Sequence, residues 1–105
     1  MNIRLLFIAG CVNAEPTHRL LRDCLEQERI NAPIIRVLVS DEVEATQYKF
    51  LGSPSIQIDG EDIAPARQGE LCTLGCRIYE LGASQPGVPP RELIVDALRR
   101  AKGRT

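Results

Sequence analysis

Gly52-Ser53-Pro54-Ser55-Ile56-Gln57-Ile58-Asp59-Gly60-Glu61-Asp62-Ile63 is the stretch on which the reading of the fold turns. Ser55–Ile58 alternates polar and apolar residues with period two, which puts successive side chains on opposite faces of a strand. Asp59-Gly60 follows at once. Two-residue hairpins favour this dipeptide because a type I′ turn needs positive φ at both central positions. Glu61-Asp62-Ile63 is then the returning strand.

Upstream of this hairpin, Ile3–Ala9 is a mostly apolar strand candidate ended by Gly10. Asn13 is read as a helix N-cap, with Glu15 and Pro16 in a first turn whose N–H groups lack intrahelical partners. Leu20, Leu21, Cys24, Leu25 and Glu28 recur at helical spacing as an inward stripe. Asn31 closes that helix and Pro33 bars its continuation. Ile34–Val39 is a β-branched second strand, and Asp41 caps a second helix carrying Ala45, Tyr48 and Phe50 ahead of Gly52. Downstream, residues 64–89 are rich in Pro and Gly and hold two of the four cysteines. They read as a long excursion with one short helix near 69–81. Pro90 opens a last helix, with Leu93, Ile94, Ala97 and Leu98 inward and Arg99, Arg100 and Lys102 set against its own C-terminal dipole. Asp41, Asp59, Glu61, Asp62 and the basic run 99–104 read as caps, turns and solvated ends. The expected order is βαβαββα in one domain over 1–105, an α/β fold with a mixed four-stranded sheet and helices on both faces.

Composition narrows the function classes. The chain has 105 residues, 44% hydrophobic and 26% charged, with a net charge of −1. Eleven of the 13 cations are Arg, scattered among acids, so no nucleic-acid surface is expected. No apolar run approaches the ~20 residues of a membrane span. The N-terminal apolar stretch is shorter than the ~7–15 residues of a signal-peptide core, which points to the cytoplasm and to reduced cysteines. No phosphate loop, paired-carboxylate site, Ser/His/Asp set or zinc spacing can be assembled, and no cofactor or resident metal is expected. Monomer and homodimer are both open.

The order of elements resembles the thioredoxin-like superfamily in its minimal, glutaredoxin-like form. Two local motifs carry the resemblance: Gly10-Cys11-Val12-Asn13-Ala14 directly after the first strand, and Gly52-Ser53-Pro54-Ser55-Ile56 at the hairpin. Cys76-Arg77-Ile78-Tyr79 is similar to a stretch in small, poorly characterised bacterial members. The likeness covers 3–63 and 90–101. It implies a redox Cys11 opening the first helix and a cis Ser53–Pro54 bond facing it. It also implies Ser53, Pro54 and Asn13 as substrate contacts, and a thiol or disulfide substrate, protein or glutathione. The family's Cys-x-x-Cys pair is absent, because the resolving position is Ala14. A monothiol cycle, with an external thiol or with Cys76 or Cys72 as a distant resolver, is what the residues allow.

The thiols read differently from one another. A thiol at a helix N-terminus meets unpaired N–H groups and the positive end of the dipole, which stabilise the thiolate. Cys11 is therefore either a nucleophile or an unreactive remnant on a binding scaffold. His18, two turns on, reads as a solvated surface residue. Cys24 lies on the apolar stripe and reads as core. Cys72 and Cys76 are open between packing, redox pairing and, together with Cys11, a three-thiolate site for a soft metal. Arg77 and Tyr79 are expected to line the Cys11 site if the excursion folds over it.

Overall fold

The computed structural model describes residues 1–67, 70–80 and 85–103. The chain runs β1 (Ile3–Phe7), α1 (Ala14–Gln27), β2 (Ile34–Leu38), α2 (Glu42–Gln47), β3 (Ser55–Ile58), β4 (Glu61–Asp62), a 3₁₀ turn (Pro65–Arg67) and α3 (Arg91–Gly103). This is an α/β fold on one mixed sheet of order β2-β1-β3-β4. β1 lies parallel to β2, with Ile3 opposite Ile34. It lies antiparallel to β3, with Ile3 opposite Ile58 and Leu6 opposite Ser55. β4 returns along β3 through Asp59-Gly60, and both turn residues have positive φ, as the hairpin type requires.

The central strands β1 and β3 are covered on both faces, whereas β2 leaves Ile35, Arg36 and Leu38 exposed, for reasons visible in the strand sequences. Ile3 and Leu5 of β1 and Ile56 and Ile58 of β3 meet Leu21, Cys24 and Leu25 of α1 and Ile94 and Leu98 of α3. Leu6 points the other way and packs with Val39, Ala45 and Phe50. Each such fully buried Leu, Ile or Phe contributes about 1.5–3 kcal/mol relative to an exposed one. α2 begins where the Asp41 carboxylate accepts from the Glu44 N–H at 2.8 Å, while the Glu44 carboxylate accepts from the Ser40 N–H at 2.9 Å. These reciprocal bonds satisfy two donors at that helix start.

Three expectations are corrected and one is extended. Arg100 and Lys102 do lie in the last turn of α3, as its dipole favours, but Arg99 and Lys102 also reach across to α1. The Glu28 carboxylate, where α1 ends, accepts from Arg99 at 3.0 and 3.2 Å, and Lys102 donates to the Glu28 carbonyl at 2.9 Å. α3 therefore caps its neighbour. Asn13 sits at the N-cap position but in a helical conformation, with no side-chain capping bond. Asp62 is buried rather than solvated. Finally, residues 70–80 contain no helix, and positions 69, 81 and 104 lie outside the described residues. The backbone of the excursion is committed elsewhere. The Thr73 N–H donates to the Phe50 carbonyl at 3.1 Å, the Ser53 N–H to the Gly75 carbonyl at 2.9 Å and the Arg77 N–H to the Ser53 carbonyl at 2.9 Å. Among the described residues no helix is long and apolar enough to cross a membrane.

Candidate functional site

β1 delivers the chain to Gly10 and Cys11 at one end of the sheet, and the antiparallel register brings the start of β3 to the same end. Gly10 turns the chain at φ +76°. The Cys11 N–H donates to the Ile8 carbonyl at 3.3 Å, and its own carbonyl accepts from Ala14 at the same distance. On its other side, the Ile8 N–H donates to the Ser53 hydroxyl at 3.1 Å. The backbone of one residue, Ile8, thus bonds to both Cys11 and Ser53. Cys11 is half-buried, and Ala14, in the place of a second thiol, is buried.

The Ser53–Pro54 bond is cis, as the sequence reading expects. The backbone of Ser53, however, is not open to a substrate. Both of its hydrogen-bonding groups are taken by Gly75 and Arg77, in a parallel bridge that sets Cys76 against Ser53. The Pro54 carbonyl accepts from the Tyr79 hydroxyl. Gly52 allows this close approach. A Cβ there would lie 3.0 Å from the Arg77 Cβ, and its φ of +115° is one that L side chains rarely adopt. Asn13 also turns toward the excursion, its amide packing on Gly87 so closely that a Cβ at Gly87 would overlap it.

Arg77 and Tyr79 do fold over this end, but the Arg77 head does not face Cys11. It is 2% exposed and runs beneath the excursion to β4. There it donates to both Asp62 carboxylate oxygens, at 2.7 and 2.8 Å, and to the Ser55 hydroxyl at 3.0 Å. The Tyr79 ring lies 4.3 Å from the guanidinium carbon, a cation–π contact. Burial works most strongly against the charge of Arg77, yet its bonds to Asp62, together with the charges of Tyr79, Asp62 and Glu70, outweigh it and hold Arg77 more firmly protonated than an ordinary arginine. Burial pushes the Tyr79 phenol well above the usual tyrosine range, with Arg77 acting in the opposite sense. The Nε of Arg77 finds no acceptor among the described residues.

The remaining thiols are dispersed. Cys76 is exposed and beside Ser53. Cys72 lines a cavity of about 470 Å³ with Lys49, Gln57, Asp62 and Glu70, and packs on the cluster of Leu6, Val39, Ala45 and Phe50. Cys24 is core, and burial pushes its thiol up. Among the described residues no group of three or more His, Cys, Asp or Glu is arranged to hold a metal ion, so Cys11, Cys72 and Cys76 do not form the three-thiolate set. His18 is half-buried in a shallow groove with Arg22 and Arg29. Burial, then Arg36, lowers its pKa.

Sequence reasoning missed Asp62 and Gly87. Asp62 had a usable signal: it falls in register with Gln57, on the polar face of a strand that is buried on both sides. That face needed a polar cover, and Arg77 supplies it. Comparison with models of protein families, with characterised proteins and with solved structures finds no match to this chain.

Proposed function

We propose that the chain is a thioredoxin-like protein of thiol chemistry, in which Cys11 is the nucleophile and Cys76, rather than Cys72, is the second thiol. The observation that carries this reading is the link from Cys11 through the backbone of Ile8 to Ser53, whose bridge partner is the exposed Cys76. Cys76 is exposed beside Ser53, while Cys72 packs on the Leu6, Val39, Ala45 and Phe50 cluster and is only half-exposed. The strand order and the Ser53–Pro54 segment support the family resemblance.

In the proposed cycle the Cys11 thiolate attacks a disulfide RS–SR. It forms the mixed disulfide Cys11–S–S–R and releases one RS⁻, which takes a proton from water. The Cys76 thiolate then attacks the Cys11 sulfur, forming a Cys11–Cys76 disulfide and expelling the second RS⁻. One disulfide is reduced to two thiols, and the two protein thiols are oxidised. Ala14 is why the second thiol must come from outside the local helix turn. The test is to oxidise the reduced protein with one equivalent of a small disulfide and map bridges by mass spectrometry. A Cys11–Cys76 link is expected, with a persistent mixed disulfide on Cys11 in Cys76→Ser. Absence of any Cys11 adduct or bridge favours the other reading, a non-catalytic binding module, which the buried Ala14 and the occupied Ser53 backbone also suit.

A further inference from the structure

The sheet edge beside Ser53 would be open if the chain ended its pairing where β4 does. The last rung between β3 and the returning chain is the Ile63 N–H to the Ile56 carbonyl, at 3.1 Å. Beyond it the chain turns away into the 3₁₀ turn at Pro65–Arg67. A strand edge with unpaired N–H and C=O groups recruits an extended peptide by adding it as a further strand. This edge is the one joined to Cys11 through Ile8. Here it is filled from within: Gly75 and Arg77 take both backbone groups of Ser53.

The filling segment is tethered along its length. Thr73 is bonded to Phe50, Arg77 is locked to Asp62 and Ser55 beneath it, and Tyr79 is bonded to the Pro54 carbonyl. Gly52 lets it lie flush. An extended polypeptide reaching Cys11 along this edge meets two backbone groups already satisfied, and would have to displace a segment anchored by a buried ion pair. A small disulfide needs neither group.

We infer that residues 73–79 form a strap that restricts Cys11 to small thiols and disulfides lacking an extended backbone, with Arg77 as the positioning residue that keeps it shut. The inference rests on the proposed thiol chemistry of Cys11 and names its substrate class.

The test uses two mixed disulfides with one leaving group, thionitrobenzoate: one of 2-mercaptoethanol and one of an unstructured nine-residue peptide with a central Cys. Both react with the chain carrying Cys72→Ser and Cys76→Ser, so that release of thionitrobenzoate reads Cys11. An open edge would favour the peptide by about 30-fold, from two backbone bonds of ordinary net strength. The strap predicts a peptide-to-small ratio of about one or below. Adding Arg77→Ala with Asp62→Asn removes the tether without leaving a charge unpaired, and is expected to raise that ratio about tenfold or more. A starting ratio already above about ten, or a ratio that the double change leaves unmoved, overturns the inference.

Amide exchange in the unaltered protein needs no variant to fold. The Ser53 and Arg77 amides are expected to exchange about 100-fold or more below the free-peptide rate, and exchange at the free rate removes the strap. If instead the small probe reacts equally fast after Cys11→Ser, the thiol reading of Cys11 fails, and the amide measurement still judges the strap by itself.

Discussion

Replacing Arg77 with Met tests whether the ion pair under the excursion holds the fold together. Met fills much of the same space as the arginine stem and adapts to irregular gaps. It removes the three hydrogen bonds to Asp62 and Ser55 and leaves the Asp62 carboxylate, 7% exposed, with the Ala64 N–H at 2.9 Å. Breaking a buried pair from one side costs about 3–5 kcal/mol, because a charge is stranded out of water. An exposed pair is worth only about 0–1 kcal/mol, so the size of the loss separates the two cases. A domain of this size has about 5–15 kcal/mol in total, and about 4–8 °C of melting temperature goes with each kcal/mol. The variant is thus expected to melt at least about 12 °C lower. Urea unfolding followed by circular dichroism measures the free energy directly. Arg77→Met with Asp62→Leu, which removes both charges, is expected to recover most of the loss. A loss below about 1 kcal/mol in the single variant, or a double variant no more stable than the single, refutes the reasoning.

Two pH dependences follow from the same structure. The Tyr79 phenol, raised by burial, contributes stability that is complete below the ordinary tyrosine value of about 10 and lost as pH rises through its folded value. Tyr79→Phe should therefore lose stability less steeply above pH ~10 in alkaline melts, and equal slopes would contradict the burial argument. Glu28 is lowered chiefly by its bonds to Arg99. Its contribution is present above the ordinary value near 4.3 and lost as pH falls through its lower folded value. Acid titration of stability in Glu28→Gln should show a shallower fall over that window, and an unchanged fall would remove the α1–α3 clamp as its source.

What was legible in the sequence was local. Asp59-Gly60 announces its turn, Asp41 its cap, and the β-branched run Ile34–Val39 its strand, because each is decided by the conformational preferences of neighbouring residues. Gly10-Cys11 after the first strand could be placed at the end of the sheet for the same reason. The pairing of Arg77 with Asp62 spans 15 residues and depends on which edge the excursion covers, which no local preference encodes. The helix expected near 69–81 failed on the same ground. Cys-x3-Cys spacing is compatible with a helix, but Gly75 and Arg77 gain more by completing the sheet beside Ser53. Asn13 looked like a cap because its residue type favours that role, whereas tertiary packing on Gly87 claims its side chain.

The central claim is that Cys11 is a reactive thiol rather than a remnant. The most direct measurement is the alkylation rate of each cysteine at neutral pH, read by mass spectrometry on the reduced protein with an uncharged reagent. Cys11, though less exposed than Cys76, is expected to alkylate fastest and to outpace an unstructured cysteine peptide by about tenfold or more, through the positive end of the α1 dipole. Cys11 reacting no faster than the peptide, with Cys76 ahead of it, would contradict the account and leave the fold a scaffold.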